Sequence, residues 1–234
     1  MYNVVHIDEK CCDGSSEIDR DGNEIFSGKI GIFPFIKREA AQRRSCNRDA
    51  GTMEIKSITS VTREIIRSVL INEVIPSIKL KWPPSCVGEI IYIQQDNART
   101  HVDPMDQDFR AAALSSGFDI RLVCQPPNSP DLNILDLGFF NAIQSLQRKS
   151  CAKKFEELVL VVQQAFADYP PRKVNLVFLT LKLCMKEIIK IGGSNRYKIP
   201  HIGKGRLERI GCLPQQISVE PTLVESVVNF LSAS

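Results

Sequence analysis

The stretch EIIYIQQDN at residues 89–97 decides the fold, because a β-branched apolar run that ends in an acid is typical of a buried strand. A second such run, DIRLVC at residues 119–124, follows a predicted helix at residues 106–116, which Gly117 ends. Strands that alternate with helices in this way predict a three-layer α/β arrangement with a partly parallel sheet.

The residues before this stretch extend the same pattern. YNVVHI at residues 2–7 predicts another buried strand, which leads directly into Asp8. KIGIFPFI at residues 29–36 predicts an edge strand, because its proline cannot donate a hydrogen bond to a neighbouring strand. Residues 38–52 are predicted to form a charged connector, and apolar residues at helical spacing predict a helix over residues 60–79.

The residues after it are mainly helical in pattern. SPD at residues 129–131 predicts a helix start with a carboxylate in the first turn. Beyond residue 154 the pattern is helical to about residue 191, with a break at the proline pair, and a last helix is predicted over residues 221–231. We therefore divide the chain into an α/β core at residues 1–150 and a helical, basic C-terminal region at residues 151–234.

The composition is that of an ordinary globular protein, with 43% hydrophobic and 24% charged residues. No apolar run approaches the roughly 20 residues that cross a bilayer, and no signal sequence follows Met1, so we expect an intracellular protein without a membrane partner. Its 8 cysteines are scattered without a CxxC pair, which favours free thiols over a zinc site.

The net charge of +3 conceals a division along the chain. Residues 1–147 carry 16 Lys/Arg against 20 Asp/Glu, whereas residues 148–234 carry 14 against 7. The whole of this basic excess lies in residues 172–209, which carry 10 basic residues and 2 acidic ones. Residues 192–214 are predicted to form a loop. An acidic core beside a basic segment is the charge distribution that suits a polyanionic partner.

Three aspartates adjoin the predicted strands. Asp8 and Asp96 follow strands, Asp136 lies early in a helix that follows a strand, and ligands of open α/β sheets collect beyond the carboxyl ends of strands. Three converging carboxylates repel each other unless a cation lies among them, and hard oxygen donors select Mg²⁺ or Mn²⁺. Such a cluster suits two-metal phosphoryl chemistry, whereas the competing interpretation is that each aspartate forms a turn or caps a helix.

Longer segments carry a family resemblance. VVHIDEK at residues 4–10, IIYIQQDNARTH at residues 90–101 and FDIRLVCQPPNSPDLNILDLGFFNAIQSLQ at residues 118–147 resemble the catalytic core of mariner-like transposases, specifically the plant branch. In that branch 39 residues lie between the second and third catalytic aspartates, the same number as lie between Asp96 and Asp136. FSGKIGIFPF and GSNRYKIPHIGK also resemble plant-branch segments, so the resemblance covers most of the chain.

The resemblance implies an RNase H-like fold with a mixed sheet in which Asp8, Asp96 and Asp136 are the catalytic, metal-binding triad. In that family two Mg²⁺ or Mn²⁺ ions activate water to cut a DNA strand and then activate the freed 3′-hydroxyl for attack on target DNA. It also implies DNA as the partner and the nucleus as the location. Asp131 is the competing third acid, but only Asp136 gives the family spacing.

Basic residues are the candidate DNA contacts. Arg99 and His101 lie near enough to Asp96 in sequence to approach a phosphate group, although a structural role for each is an equal alternative. Phosphate contacts need positive charge and little sequence context, so backbone binding is also expected from the C-terminal region, at Lys186, Lys190, Arg196, Lys198, Lys204, Arg206 and Arg209. Lys186 and Lys190 lie on the predicted helix, and the alternative for them is a solvent-exposed helix face without a DNA contact.

Two departures from the family bear on activity. Family members carry an N-terminal helix-turn-helix region, whereas Met1 directly precedes the first strand, so we expect no sequence-specific recognition of transposon ends. A Trp-Phe-Tyr run is replaced by CCDG at residues 11–14, and the missing residues after it would include the second strand of the sheet. Residues 29–36 would then either pair in parallel with residues 2–7 or leave a frayed edge near Asp8.

The sequence therefore favours a transposase-derived RNase H-like domain that binds DNA and, if its site is intact, cuts it with metal ions. A catalytically dead remnant that binds nucleic acid without sequence preference is the alternative. A decayed product that barely folds is a third interpretation. The sequence leaves the oligomeric state open, with a homodimer as one option.

Overall fold

The computed structural model describes residues 4–8, 11–13, 17–18, 24–46, 48–83, 88–115, 117–148, 152, 154–214 and 216–232, and at residues 8, 11–13, 17–18 and 24–25 it describes the backbone alone. The strands are β1 Val4–Asp8, β2 Cys11–Asp13, β3 Glu17–Ile18, β4 Glu24–Phe26, β5 Lys29–Gly31, β6 Ile36–Ala40, β7 Met53–Ser57, β8 Ile90–Gln95 and β9 Asp119–Cys124. The helices are α1 Arg63–Val69, α2 Ile75–Lys81, α3 Gln107–Ser115, α4 Phe140–Gln147, α5 Phe155–Asp168, α6 Pro171–Lys190, α7 Lys204–Arg209 and α8 Pro221–Ser232. No helix in these ranges is long and apolar enough to span a bilayer.

A five-stranded mixed sheet in the order β5-β2-β1-β8-β9 forms the centre of the fold. β8 pairs in parallel with β1 on one side and with β9 on the other, which confirms the strands predicted at residues 89–95 and 119–124. β2 is antiparallel to both β1 and β5. The carboxyl ends of β1, β8 and β9 therefore meet at one edge of the sheet.

Helices cover both faces of this sheet, which confirms the three-layer prediction. Val5, Ile91 and Ile93 belong to the same buried cluster as Ile78 of α2 and Phe109 of α3. The other face lies against the C-terminal helices, as the edge-on ring contact of His6 with Phe178 of α6 at 5.8 Å indicates.

The second hydrophobic cluster joins the segments that follow β9. Its buried members include Ile134, Leu135, Phe139, Ile143, Phe166, Tyr169, Val174, Phe178 and Leu181. These residues come from both sides of residue 150, where we predicted the division between the core and the C-terminal region. Residues of both regions therefore pack together in this second hydrophobic cluster.

The prediction that the second strand of the sheet is missing is wrong. β2 pairs with β1 in the register Ile7↔Cys12 and with β5 in the register Cys12↔Gly31. The connection between β1 and β2 is only two residues long, a length that suits an antiparallel hairpin. β5 therefore has no direct pairing with β1, and no parallel crossover is needed.

The segment from residue 29 to residue 57 also differs from its prediction. The strand expected at residues 29–36 ends at Gly31, and a second strand, β6, begins only at Ile36, beyond the proline. β6 pairs with β7 from Ile36↔Ser57 to Ala40↔Met53, so the predicted charged connector is instead part of a separate antiparallel hairpin.

The helical predictions hold with local exceptions. The helix at residues 60–79 is continuous from Arg63 to Lys81 through a π-helical turn, and α5, α6 and α8 match the predicted C-terminal helices. The predicted start at residues 129–131 is a short 3₁₀ turn that ends before Asn133, whose φ of −114° and ψ of 119° are not helical. The expected loop at residues 192–214 contains α7.

The edge strand β5 is tied to the C-terminal end of α5 by one side chain. The Lys29 ammonium donates hydrogen bonds to the carbonyl oxygens of Phe166, Ala167 and Tyr169 at 3.1, 2.6 and 2.9 Å. Carbonyl groups at the C-terminal end of a helix have no hydrogen-bond partner within the helix. A cation there also interacts favourably with the negative end of the helix dipole.

Lys29→Met is expected to destabilise the fold by about 2–3 kcal/mol, because it removes charge-assisted hydrogen bonds from partly buried carbonyls. Urea denaturation followed by circular dichroism measures the change. Lys37→Met is the matched control, since the Lys37 side chain is 50% exposed and contacts only a surface glutamate in the described structure. Equal stability of the two variants would contradict the assigned role of Lys29.

Candidate metal centre and nucleic-acid interface

Asp8 and Asp96 lie at neighbouring strand ends. β1 and β8 pair in the register Val4↔Tyr92, Val5↔Ile93 and His6↔Gln94. Continued by two residues, this register brings the backbone of Asp8 opposite that of Asp96. Because adjacent strands lie about 4.8 Å apart, two of the three predicted acids come from neighbouring backbone positions.

The other side of Asp8 is also paired. The register of β1 with β2 extends to Asp8↔Cys11. The backbone at Asp8 is therefore paired with β2, and the alternative expectation of a frayed edge at this point is wrong.

Asp136 lies in the π-helical turn Leu135–Phe139, and this turn packs against β1. The flanking residues Leu135 and Phe139 are fully buried, whereas Asp136 is exposed. The helix start is set by buried Asn133, whose Oδ1 accepts a hydrogen bond from the Leu135 amide at 3.1 Å. Asparagine is a favoured helix cap, so the cap lies four residues after the one predicted at Ser129.

The Asp96 carboxylate is half-exposed and oriented by local contacts. Its Oδ1 accepts a hydrogen bond from the Ala98 amide at 2.8 Å and lies 2.8 Å from Nδ1 of His101. Both contacts go to the same oxygen, so Oδ2 is the carboxylate atom left for another ligand. The Asp96 side chain is 50% exposed, which leaves room for one.

The backbone around Asp96 is tied to the end of β9. Asn97 Nδ2 donates a hydrogen bond to the Gln125 carbonyl at 2.6 Å, and the Gln125 amide donates to the Gln95 carbonyl at 2.7 Å. The buried Gln125 side chain donates onward to the Ser129 carbonyl at 2.5 Å. No sequence signal singles out Gln125 for this role.

The donor chemistry at this edge fits a hard divalent cation. Asp8, Asp96 and Asp136 are residues with carboxylate oxygens, and buried His6 of β1 adds no competing positive charge near neutral pH, because burial lowers its pKa to about 4. The side chains that the structure describes, which do not include that of Asp8, contain no group of three His, Cys, Asp or Glu residues arranged around a common metal position. The triad therefore stays a prediction.

Some of the candidate phosphate-binding residues are exposed, whereas others already have hydrogen-bond or ion-pair partners within the protein. Arg99, Arg196, Lys198, Arg206 and Arg209 are exposed. His101 differs from the expectation, because it is only 8% exposed and its Nδ1 faces Asp96. A phosphate contact requires an accessible side chain, so the structure favours the structural alternative for this histidine.

The lysines among these candidates have intramolecular partners. Lys204 Nζ donates to the Leu176 carbonyl at 2.6 Å and to the Thr180 hydroxyl, which holds α7 against α6, and burial lowers the pKa of Lys204. Lys204 therefore has a packing role in the fold, and its contact with DNA stays a prediction. Lys186 donates to the Ser218 carbonyl at 2.8 Å, and Lys190 pairs with Glu187 at 2.6 Å, although both remain near solvent.

The fold is similar to that of a known transposase domain. Two solved structures of the Mos1 transposase catalytic domain with raltegravir, one with Mn and one with Mg, each match at a TM-score of 0.52 and 15% sequence identity. Each match covers 84% of this chain and 86% of the other. No protein-family model and no curated protein sequence matches the chain. The mixed sheet and its helical layers are thus the RNase H-like arrangement of that catalytic domain.

Proposed function

We propose that this protein is a mariner-like transposase-derived nuclease that cuts DNA with Mg²⁺ or Mn²⁺ bound by Asp8, Asp96 and Asp136. The observation that carries the proposal is the parallel pairing of β1 with β8, recorded as far as His6↔Gln94, which supports Asp8 and Asp96 as neighbours at the carboxyl ends of adjacent strands. The packing of the turn that contains Asp136 against β1 adds support from the third acid.

The roles of the residues follow from their positions. Asp8 and Asp96 would hold a cation between two neighbouring strands, and Asp136 would complete the site from the adjoining helix. Two divalent ions held by these carboxylates would supply a lowered pKa for an attacking hydroxyl and stabilisation of the leaving oxygen. Asn97 and Gln125 keep the loop after β8 in one conformation, which the positioning of a catalytic carboxylate requires.

The exposed arginines and lysine of the C-terminal region are the proposed track for the DNA backbone. Arg196 and Lys198 precede α7, and Arg206 and Arg209 lie within or at the end of it. Contacts of this kind carry no base specificity, so binding should be independent of sequence and sensitive to salt. The resemblance to the plant branch also leads us to propose a nuclear location.

Conversion of supercoiled plasmid to open circles by the purified protein tests the proposed reaction. Nicking should require Mg²⁺ or Mn²⁺ and disappear when EDTA removes the metal. Plasmid that stays supercoiled with either metal, while the protein melts cooperatively, would overturn the nuclease proposal and favour the non-catalytic binding module.

The proposed DNA track is tested by replacing Arg196, Lys198, Arg206 and Arg209 together with alanine. Binding to a labelled duplex should weaken at every sequence, and the slope of log K against log salt should become shallower by about one for each phosphate group that the variant no longer binds. Fluorescence anisotropy at several salt concentrations measures both quantities.

A control with the same change of charge separates local contact from overall attraction. Arg38, Arg43, Lys79 and Arg110 are also exposed, and their joint replacement by alanine removes the same number of charges elsewhere. Equal loss of affinity in the two quadruple variants would contradict a DNA track in the C-terminal region.

A further inference from the structure

We propose that His101 is a positioning residue that fixes the Asp96 carboxylate so that Oδ2, and not Oδ1, faces a bound divalent cation. This inference rests on the proposed function, because it concerns the same metal site. His101 itself is not expected to touch the reacting atoms. It acts through Asp96.

The contacts of His101 are directed at Asp96 from a fixed position. Its Nδ1 lies 2.8 Å from Asp96 Oδ1 and 3.0 Å from the Asp96 carbonyl oxygen. The imidazole is buried, and the His101 amide donates a hydrogen bond to the Ala98 carbonyl at 3.0 Å. Burial and this turn leave the ring little freedom to move away from the carboxylate.

The two acceptors identify the atom that carries the proton. A carbonyl oxygen can only accept a hydrogen bond, and an ionised carboxylate oxygen likewise only accepts. Nδ1 faces one of each, so it must be the protonated nitrogen; its hydrogen bond goes to the Asp96 carbonyl oxygen, and Oδ1 lies beside it. The tautomer is therefore set by Asp96 itself.

The consequence is that Oδ1 has two close neighbours. The Ala98 amide donates to it and His101 Nδ1 lies 2.8 Å from it, which opposes rotation of the carboxylate about its terminal bond. The Asp96 side chain is then already ordered before a metal binds to Oδ2, so binding does not carry the entropic cost of ordering it. Partners of this type around a ligand typically contribute roughly 10-fold to 100-fold in metal affinity.

Two amide substitutions separate this role from a general packing role. His101→Asn retains an N–H near the place of Nδ1, whereas His101→Gln carries its amide near the place of Nε2 and leaves Asp96 without an N–H beside its carbonyl oxygen and Oδ1. Binding of Mn²⁺ to the protein without DNA, followed by electron paramagnetic resonance, measures affinity apart from activity. We expect affinity to fall about 10-fold or more in His101→Gln and to stay within about 3-fold of wild type in His101→Asn.

The outcomes distinguish this inference from the proposed function. Asp96→Asn is measured alongside, and thermal melts compare the folds of all variants. Wild-type protein that binds Mn²⁺ no better than Asp96→Asn would overturn both proposals. If Asp96→Asn abolishes binding but His101→Gln binds as wild type does, only the positioning role fails. Equal loss in the asparagine and glutamine variants also overturns it, because the Nδ1 donor would then not be the feature that matters.

Discussion

Asp96→Asn is expected to reduce metal-dependent nicking of plasmid DNA by at least about 100-fold. Loss of a partner that merely orients a metal ligand costs roughly 10-fold to 100-fold, so loss of the charged ligand itself should cost more. Asparagine keeps the size of the side chain and removes its negative charge, on which attraction to a divalent cation depends. Asp136→Asn should behave in the same way.

The control for these two variants is Asp108→Asn. Asp108 lies in the first turn of α3, where its 75% exposed side chain lies 3.9 Å from the Arg67 guanidinium, so its loss should leave the nicking rate unchanged. Initial rates of open-circle formation in Mn²⁺ compare the variants with wild type. Wild-type rates in Asp96→Asn and Asp136→Asn would exclude both residues from the reaction.

Phe139→Ala is expected to destabilise the protein by about 3–5 kcal/mol. The Phe139 side chain is fully buried and meets the rings of Phe166 and Tyr169 edge to face, at centroid distances of 6.0 and 5.0 Å. Truncation would leave a cavity in the cluster that joins the π-helical turn to α5, and it would remove both aromatic pairs. Urea denaturation at constant pH measures the loss.

Phe230→Ala is the matched control, because Phe230 in α8 is 67% exposed and its replacement should change stability by less than about 0.5 kcal/mol. The same experiment tests whether the chain folds as a unit. A non-cooperative transition in the wild type, or a loss below about 1 kcal/mol in Phe139→Ala, would contradict the packing described for the second cluster and favour a decayed product.

The regular elements of the fold could be predicted where each carries its own periodic signal. The sequences of β8 and β9 are apolar runs typical of strands. The sequence of α6 has a helical pattern that lies between a proline pair and a glycine pair. β2 has only three residues, too few to show an alternation of apolar and polar side chains in the sequence. Its strand conformation depends on pairing with β1 and β5. Short strands of this kind are defined by their neighbours and not by local preference.

The candidate site likewise has parts that could be predicted from the sequence and parts that depend on the folded structure. The three aspartates could be identified from their places after strands and from the resemblance, but the alignment of Asp8 with Asp96 depends on a register that separate segments cannot specify. The roles of Gln125 and Asn133 arise from burial in loops, which the sequence does not reveal. Lys204 and Arg206 look alike in sequence, yet only Lys204 faces carbonyl and hydroxyl groups of α6.

The most direct test of the metal-centre proposal is an anomalous difference map from crystals of the protein soaked in Mn²⁺. We expect a peak within about 2.1–2.3 Å of carboxylate oxygens from Asp8, Asp96 and Asp136, the range for hard divalent cations and oxygen. We also expect Oδ2 of Asp96 to be the coordinating atom. A map with no peak at these three side chains, or with a peak that Asp96 does not reach, would contradict the proposed metal centre.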